Sequence, residues 1–577
     1  MTRRRVVADG DAENGGVTRR AFLGAGVAGA AGGVLLSGGA GWLVPERATA
    51  AGAAVDEAVW VERSIRELQS LMTSGQLTSR ELTLGYLARI RALNPLLAAV
   101  IETNPNAVAI AARLDNERRA GTVRGPLHGI PVLLKDNIAT ADNLQTTAGS
   151  LALVNSRVPA DAPIARKLRE AGAVILGKAN LSEWANFRGF APGDFNGWTA
   201  RGGKTRDPYL LSFDPCGSST GSAVAVAANL GAAAVGTETD GSIVCPSGNN
   251  LVVGLKPTLG LLSQDGIIPI AHSQDTAGPI TRTVTDAAIL LGVMQTPFGE
   301  VVGHKLPDDY TFFLQRGALK GAWIGVDTRY FTEDFGGEPD LVAVAMQGIQ
   351  TMELLGATIV EVDTGDPSGW FDAEFLVLLQ EFKPQIADYL AGLSHTSLRT
   401  LSDLIAFNIA HCPAEMKYYG QEIFEISDSL SGDLTDPDYL AARALSLQLT
   451  RTEGIDRVLT EDDVDAIVAP SYSFASSPAA VAGYPDIAIP VGISSLGRPA
   501  GLWMYGGFLQ EPKLLGYAYD LEQELNVRAS NPPQFAGELQ PFPPDPGICA
   551  ALPSTPRVHS GKPHLTRHLG TGKAIRR

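Results

Sequence analysis

Residues 129–137 read G-I-P-V-L-L-K-D-N, residues 216–222 read C-G-S-S-T-G-S, and residues 237–247 read T-E-T-D-G-S-I-V-C-P-S. Lys135 ends an apolar, strand-like run, while Ser218 and Ser242 sit in separate small-residue loops with a helix-like run between them. A serine hydroxyl is a poor nucleophile until a neighbouring base takes its proton. Lysine can be that base only when burial lowers its pKa enough to leave it neutral, and the apolar run 130–134 offers such an approach. Glycines beside both serines allow close backbone approach and leave N–H groups free to face a ligand. Each stretch alone also fits an ordinary Gly/Ser loop or a surface lysine at a strand end; the three in order suggest a nucleophile and its proton relay.

Working outward, helix and strand alternate. Apolar residues at Val61, Ile65, Leu68 and Met72 follow helical spacing. Thr78 and Glu81 form a capping box for a second helix through Leu82, Tyr86 and Ile90, which Asn94-Pro95 stops. A strand over 98–103, a helix over 107–120, a strand over 130–134, a helix over 163–171, an apolar run over 173–176 and a helix beginning near Asn180 follow. Further strands are expected at 323–326, 358–362, 464–469, 487–490 and 502–505, a helix at 341–355, mainly helical sequence up to 459, and a last helix over 511–527. This pattern predicts an α/β sheet with covered faces. No internal repeat or linker appears, so one domain is expected.

Two motifs compete for attention. Residues 217–221 spell G-x-S-x-G, which would make Ser219 the nucleophile of an α/β-hydrolase elbow, but an elbow follows a strand and 212–215 has turn composition. Gly203-Lys204-Thr205 imitates the end of a phosphate-binding loop, whose first glycine would fall at Trp198, so that reading fails.

The chain has 577 residues, 45% hydrophobic and 19% charged, with a mean hydropathy of +0.06. These are values of an ordinary globular protein. Asp plus Glu outnumber Lys plus Arg by 62 to 46, giving a net charge of −16. An acidic body with no basic, aromatic-interleaved stripe argues against nucleic acid as a partner. The four cysteines, Cys216, Cys245, Cys412 and Cys549, read as no disulfide framework and lack metal spacing; Cys216 and Cys245 flank the serine loops and are either bonded or buried thiols. No metal-binding constellation stands out.

The ends differ from the body. Residues 18–23, T-R-R-A-F-L, precede a Gly/Ala-rich apolar run to about Val44 and the triplet Ala48-Thr49-Ala50. This resembles a twin-arginine export signal spanning 1–50, cut after Ala50; the alternative is an uncleaved membrane anchor. Export would make membrane contact transient and place the product in the envelope or outside the cell. The folded domain is expected over 51–530. The remainder, 531–577, is Pro/Gly-rich and from Ala551 carries six Lys or Arg and no acid, the composition of a disordered tail.

Taken together, the central stretches resemble the amidase signature family. The resemblance continues through G-L-K-P-T (254–258), D-T-A-G-P (275–279), A-G-Y-P (482–485) and E-P-K-L-L (511–515), and covers roughly 60–530. It implies a single α/β/α domain around a large mixed sheet and amide hydrolysis through an acyl-enzyme, with no cofactor. Position by position it implies Ser242 as nucleophile and Ser218 as the bridging serine, held by a cis peptide, with Lys135 as base. The backbone N–H groups of Thr239, Asp240, Gly241 and Ser242 become the oxyanion hole, and Ser219 a support that orients the lysine.

Departures from the family pattern carry information. Glu238 stands where the family has Asp, Asp240 where it has Gly, and Val244 where it has Arg. Without that arginine, a carboxylate-bearing substrate or a role in glutamine hydrolysis within a tRNA amidotransferase is disfavoured. With residues 181–187 and 197–206, the variant motif is most similar to the peptide amidase branch, which implies removal of C-terminal amides from peptides. A broader amidase or esterase on small aliphatic or aryl amides is the alternative, and an exported binding protein without turnover a third. Asp240 is expected either to meet a substrate N–H or cation, or to cap the loop; Trp184 is expected in the core.

Overall fold

The structure, a computed structural model, describes residues 56–551 apart from 193, 194 and 540; the proposed export signal and the basic end of the tail lie outside these residues. The strands in chain order are β1 (Val100–Thr103), β2 (Pro131–Lys135), β3 (Val174–Ala179), β4 (Trp198–Thr199), β5 (Gly203–Lys204), β6 (Ala233–Glu238) and β7 (Val253–Lys256). They continue with β8 (Thr276–Thr281), β9 (Trp323–Val326), β10 (Thr358–Glu361), β11 (Ala466–Pro470), β12 (Asp486–Ile493) and β13 (Pro499–Tyr505). Eleven form one sheet in the order β1-β3-β2-β6-β8-β7-β12-β13-β11-β9-β10; β4 and β5 pair separately.

The sheet is mixed, as expected. β2 runs parallel to β3 and β6, the pairs around β8, β7, β12 and β13 are antiparallel, and β11, β9 and β10 are again parallel. Every residue of β2, β3, β6, β7 and β8 is buried, because helices cover both faces. One large apolar cluster follows the sheet. A second, with Phe375, Leu379, Phe382 and Ile386 of the helix Phe371–Ala391, gathers around Trp184 and Phe187. Trp184 is thus a core residue, its ring edge-to-face with Phe424.

Local chemistry explains where elements begin and where the sequence expectations shift. Thr78 and Glu81 do form the capping box that starts the helix Ser79–Leu97. Pro95 does not stop that helix but lies in its last turn; it ends at Ala98, whose φ is 48°, while the Asn94 side chain pairs with both backbone groups of Val100. No full helix follows Asn180: Trp184, Ala185 and Asn186 all have positive φ in a short 3-10 turn. β6 and β8 flank the site yet escaped notice, because Ala, Gly, Thr and Pro dominate them and show no alternation. Among the described residues no helix is long and apolar enough to cross a membrane.

The described part of the tail, up to residue 551, departs from the disorder read from composition. Phe535 N donates to Pro208 O and Leu211 N to Ala536 O, both at 2.8 Å, Phe542 stacks edge-on against Phe195, and Cys549 is bonded to Cys412. Most of this described stretch is irregular, yet it packs, and it closes with a short helix, Pro546–Ala551.

Candidate active site

Lys135 closes β2 with its side chain fully buried. Its Nζ donates to the carbonyl of Thr237 at 3.1 Å and to Thr237 Oγ1 at 2.9 Å, and lies 2.7 Å from Ser218 Oγ. Burial pulls its pKa down to about 7, against the pull of Glu238 and Asp275 in the other direction. A neutral amine has two N–H groups and one lone pair; Thr237 takes the two N–H groups and the lone pair is left facing Ser218. Thr237 is itself fixed, since Asn137 Nδ2 donates to its hydroxyl at 2.9 Å.

Ser218 Oγ lies 3.0 Å from Ser242 Oγ, so lysine and two serines form one line of contacts. Lys135 and Ser218 are sealed from solvent, whereas Ser242 keeps 8% of its surface exposed, which puts the outer serine at the open end. The Gly217–Ser218 peptide is cis. The two serine loops are tied by Ser219 N donating to Ser242 O at 3.1 Å and by a disulfide between Cys216 and Cys245. All four cysteines are paired, which corrects the reading that they make no disulfide framework; the spacing of 29 and 137 residues hid pairs that only the fold brings together.

Ser219 occupies a different place from the one expected. It precedes the helix Thr220–Ala227, with no strand before it, so it is no nucleophile elbow. Nor does it bond the lysine: its hydroxyl donates to Thr237 O at 2.9 Å and accepts from Thr237 N at 3.2 Å. It braces the residue that holds the lysine. Behind it Gly221 has no room for a side chain, since a Cβ would stand 2.4 Å from Ala99 O.

The turn Thr239–Ser242 joins β6 to the short helix Val244–Asn249, with Gly241 at φ 73°, a value that favours glycine. Glu238 holds this turn: one carboxylate oxygen accepts from Ile243 N at 2.6 Å and Val244 N at 3.0 Å. The charge of buried Lys256 works against the rise that burial imposes on the Glu238 carboxyl. Asp240 instead reaches across to the helix Ser476–Ala482, where Ser476 Oγ donates to its Oδ1 at 2.7 Å. Burial raises the Asp240 carboxyl to about 7, with the Glu238 charge adding to the rise, and burial together with the Asp240 charge lifts Glu374 well above the carboxylate range. Beside Thr239 a cavity of about 40 Å³ is lined by Asn137, Ala185, Thr237, Ile270, His272 and Gln385, among others.

The sequence thus pointed to Lys135, Ser218 and Ser242, which the fold brings together, and missed Asn137 and Thr237 although both lie in the quoted motifs. Glu374, Ser476 and Ser477 carried no sequence signal at all; they arrive from helices far downstream in the chain.

A buried lysine in line with two serines on a mixed sheet is the layout of a hydrolase that works without histidine. The model of the family described as Amidase matches residues 81–515, and the chain belongs to that family. The structure is similar to that of the native peptide amidase from Stenotrophomonas maltophilia, with 47% identity and a TM-score of 0.76, covering 82% of this chain and 99% of that one. It is also similar to an amidase family protein from Bacillus anthracis, with 36% identity and a TM-score of 0.76, covering 83% of this chain and 93% of that one. An Arabidopsis thaliana protein named "Probable amidase" is 41% identical over 483 residues, 82% of this chain and 92% of its own. The protein is therefore a hydrolase of carbon–nitrogen bonds in amides.

Proposed function

We propose that the protein deamidates the C-terminal amide of peptides, releasing ammonia, through an acyl-enzyme on Ser242. The observation that carries the chemistry is the line Lys135 Nζ–Ser218 Oγ–Ser242 Oγ, with steps of 2.7 and 3.0 Å. Neutral Lys135 takes a proton through Ser218 from Ser242 as that oxygen attacks the carbonyl. The oxyanion forms against the backbone N–H groups of the turn Thr239–Ser242, and the relay then hands the proton to the departing nitrogen. Water repeats the sequence and frees the acid.

Substrate choice rests on the likeness to the S. maltophilia peptide amidase and on Val244, which stands buried where the family's arginine would meet a carboxylate. Export rests on the twin-arginine pattern and on two disulfides, which persist in oxidising compartments. The test is ammonia release from a peptide C-terminal amide, an internal peptide bond, a side-chain amide and an aryl amide, with Ser242→Ala as control. Turnover of the peptide amide alone is the expected result; turnover of only the simple amides makes the broad-specificity reading correct. N-terminal sequencing of protein recovered from the producing cell's exterior checks the cut after Ala50.

A further inference from the structure

Between Asp214 and Thr258 every residue is buried except Asp240, two positions before the proposed nucleophile. A carboxylate at that place could serve the turn or the substrate, and the hydrogen bonds separate these roles. The turn's N–H groups are capped by Glu238, not by Asp240. Asp240 is instead held through Oδ1 by Ser476 of the helix Ser476–Ala482.

The next residue of the same helix, Ser477, contacts a second carboxylate, Glu374 Oε2, at 3.4 Å. Gln274 Nε2 donates to Glu374 Oε1 at 2.9 Å and to the carbonyl of Thr239 at 3.3 Å. Both carboxyls are thus fixed by consecutive serines and linked to the proposed oxyanion turn, and only Asp240 keeps an open side. Keeping two acids in a low-dielectric wall costs free energy. An acceptor that is held rigid and left open beside a nucleophile is suited to a donor that arrives with the substrate.

We propose that Asp240, backed by Glu374, is a specificity residue that accepts a hydrogen bond from an N–H group on the acyl half of the substrate, next to the carbonyl under attack. In a peptide amide the N–H of the terminal residue lies two bonds from that carbonyl carbon, and the side chain two residues before Ser242 is placed to meet it. A substrate with oxygen at that position offers no donor and sets a lone pair against the carboxylate. This inference rests on the peptide amide reading above.

The experiment compares ammonia release by the full chain from N-acetylphenylalaninamide and from its analogue with oxygen in place of the N–H, 2-acetoxy-3-phenylpropanamide. The wild type should prefer the N–H substrate in kcat/KM by about tenfold or more, the range of a hydrogen bond to a charged acceptor. Asp240→Asn should reduce that preference and Asp240→Gly abolish it, read as the ratio of the two kcat/KM values within each variant, so that any common loss from the turn cancels; Glu374→Gln should weaken it. Equal turnover of the two substrates by the wild type, or an equal fall of both in the Asp240 variants, would overturn the proposal and leave the peptide amide reading standing. If the wild type turns over neither, that reading fails and this one with it.

Discussion

Thr237 offers Lys135 two acceptors, its carbonyl at 3.1 Å and its hydroxyl at 2.9 Å, and thereby aims the third position of the amine at Ser218. Since burial holds this lysine near pH 7, kcat/KM should rise with pH through about 7 as the base loses its proton. Asp240 titrates in the same region, so the profile is best recorded for Asp240→Asn as well, where the limb should persist. A profile flat from pH 6 to 9 in both proteins would remove Lys135 as the base. Lys135→Ala should cost at least ~10² in rate.

The same burial has a cost in stability. A lysine whose pKa falls from 10.5 to about 7 on folding binds fewer protons in the native than in the unfolded chain between those values. Stability therefore rises with pH across that window, and the penalty is full below pH 7. Lys135→Met should melt higher than the wild type at pH 6, and the gap should narrow as the pH approaches 10, while activity is lost. Parallel melting curves at all pH values would show that the lysine is charged in the native state.

Ser219 and Ser242 are separable by substitution. Ser242→Ala should abolish both ammonia release and labelling by a fluorophosphonate, and Ser218→Ala should lower the rate ~10² or more by breaking the relay. Ser219→Ala leaves the line of contacts intact and removes only the brace on Thr237, so partial activity and full labelling are expected. Complete loss of labelling in Ser219→Ala would reinstate it as the nucleophile.

Much of this site was legible because its chemistry is compressed into short motifs. Lys135, Ser218 and Ser242 stand in stretches whose glycines and apolar runs announce a strand end and two tight loops. β6 and β8, which set Thr237 and Asp275 in place, were not legible: strands such as A-A-V-G-T-E and T-A-G-P-I-T, buried on both faces, show no alternation. The Ser476–Asp240 contact spans 236 residues and is created by the sheet order alone. Composition misled for the described residues from 531 to 551, because a Pro-rich segment can be held by a disulfide and a few ring contacts.

Glu238 fixes the nucleophile turn through two N–H bonds to one carboxylate oxygen. Asp, the family's residue, is one methylene shorter and would pull away from Ile243 and Val244. Glu238→Asp and Glu238→Gln should therefore lower kcat by about tenfold with KM little changed, a loss in the range of hydrogen bonds to a charged group. A rise in KM at constant kcat would mean that Glu238 serves substrate binding instead.

The Cys216–Cys245 disulfide spans the two loops that carry the relay: Cys216 lies two residues before Ser218, and Cys245 three after Ser242, with their Cα atoms 5.9 Å apart. A bond so placed limits how far the two hydroxyls can drift, and small misplacements of reacting groups cost large factors in rate. Cys216→Ala/Cys245→Ala should lose about tenfold in kcat and label more slowly with fluorophosphonate. Its far-UV dichroism should stay unchanged, because the Ser219–Ser242 backbone bond and the Glu238 cap remain. The second disulfide supplies the control. Cys412→Ala/Cys549→Ala frees the C-terminal segment and should lower the melting temperature, yet leave kcat alone, since Cys412 and Cys549 flank none of the relay residues. If both pairs of substitutions act alike, on stability only, the first disulfide is a structural tie, and Ser218 and Ser242 are held in register by the backbone alone.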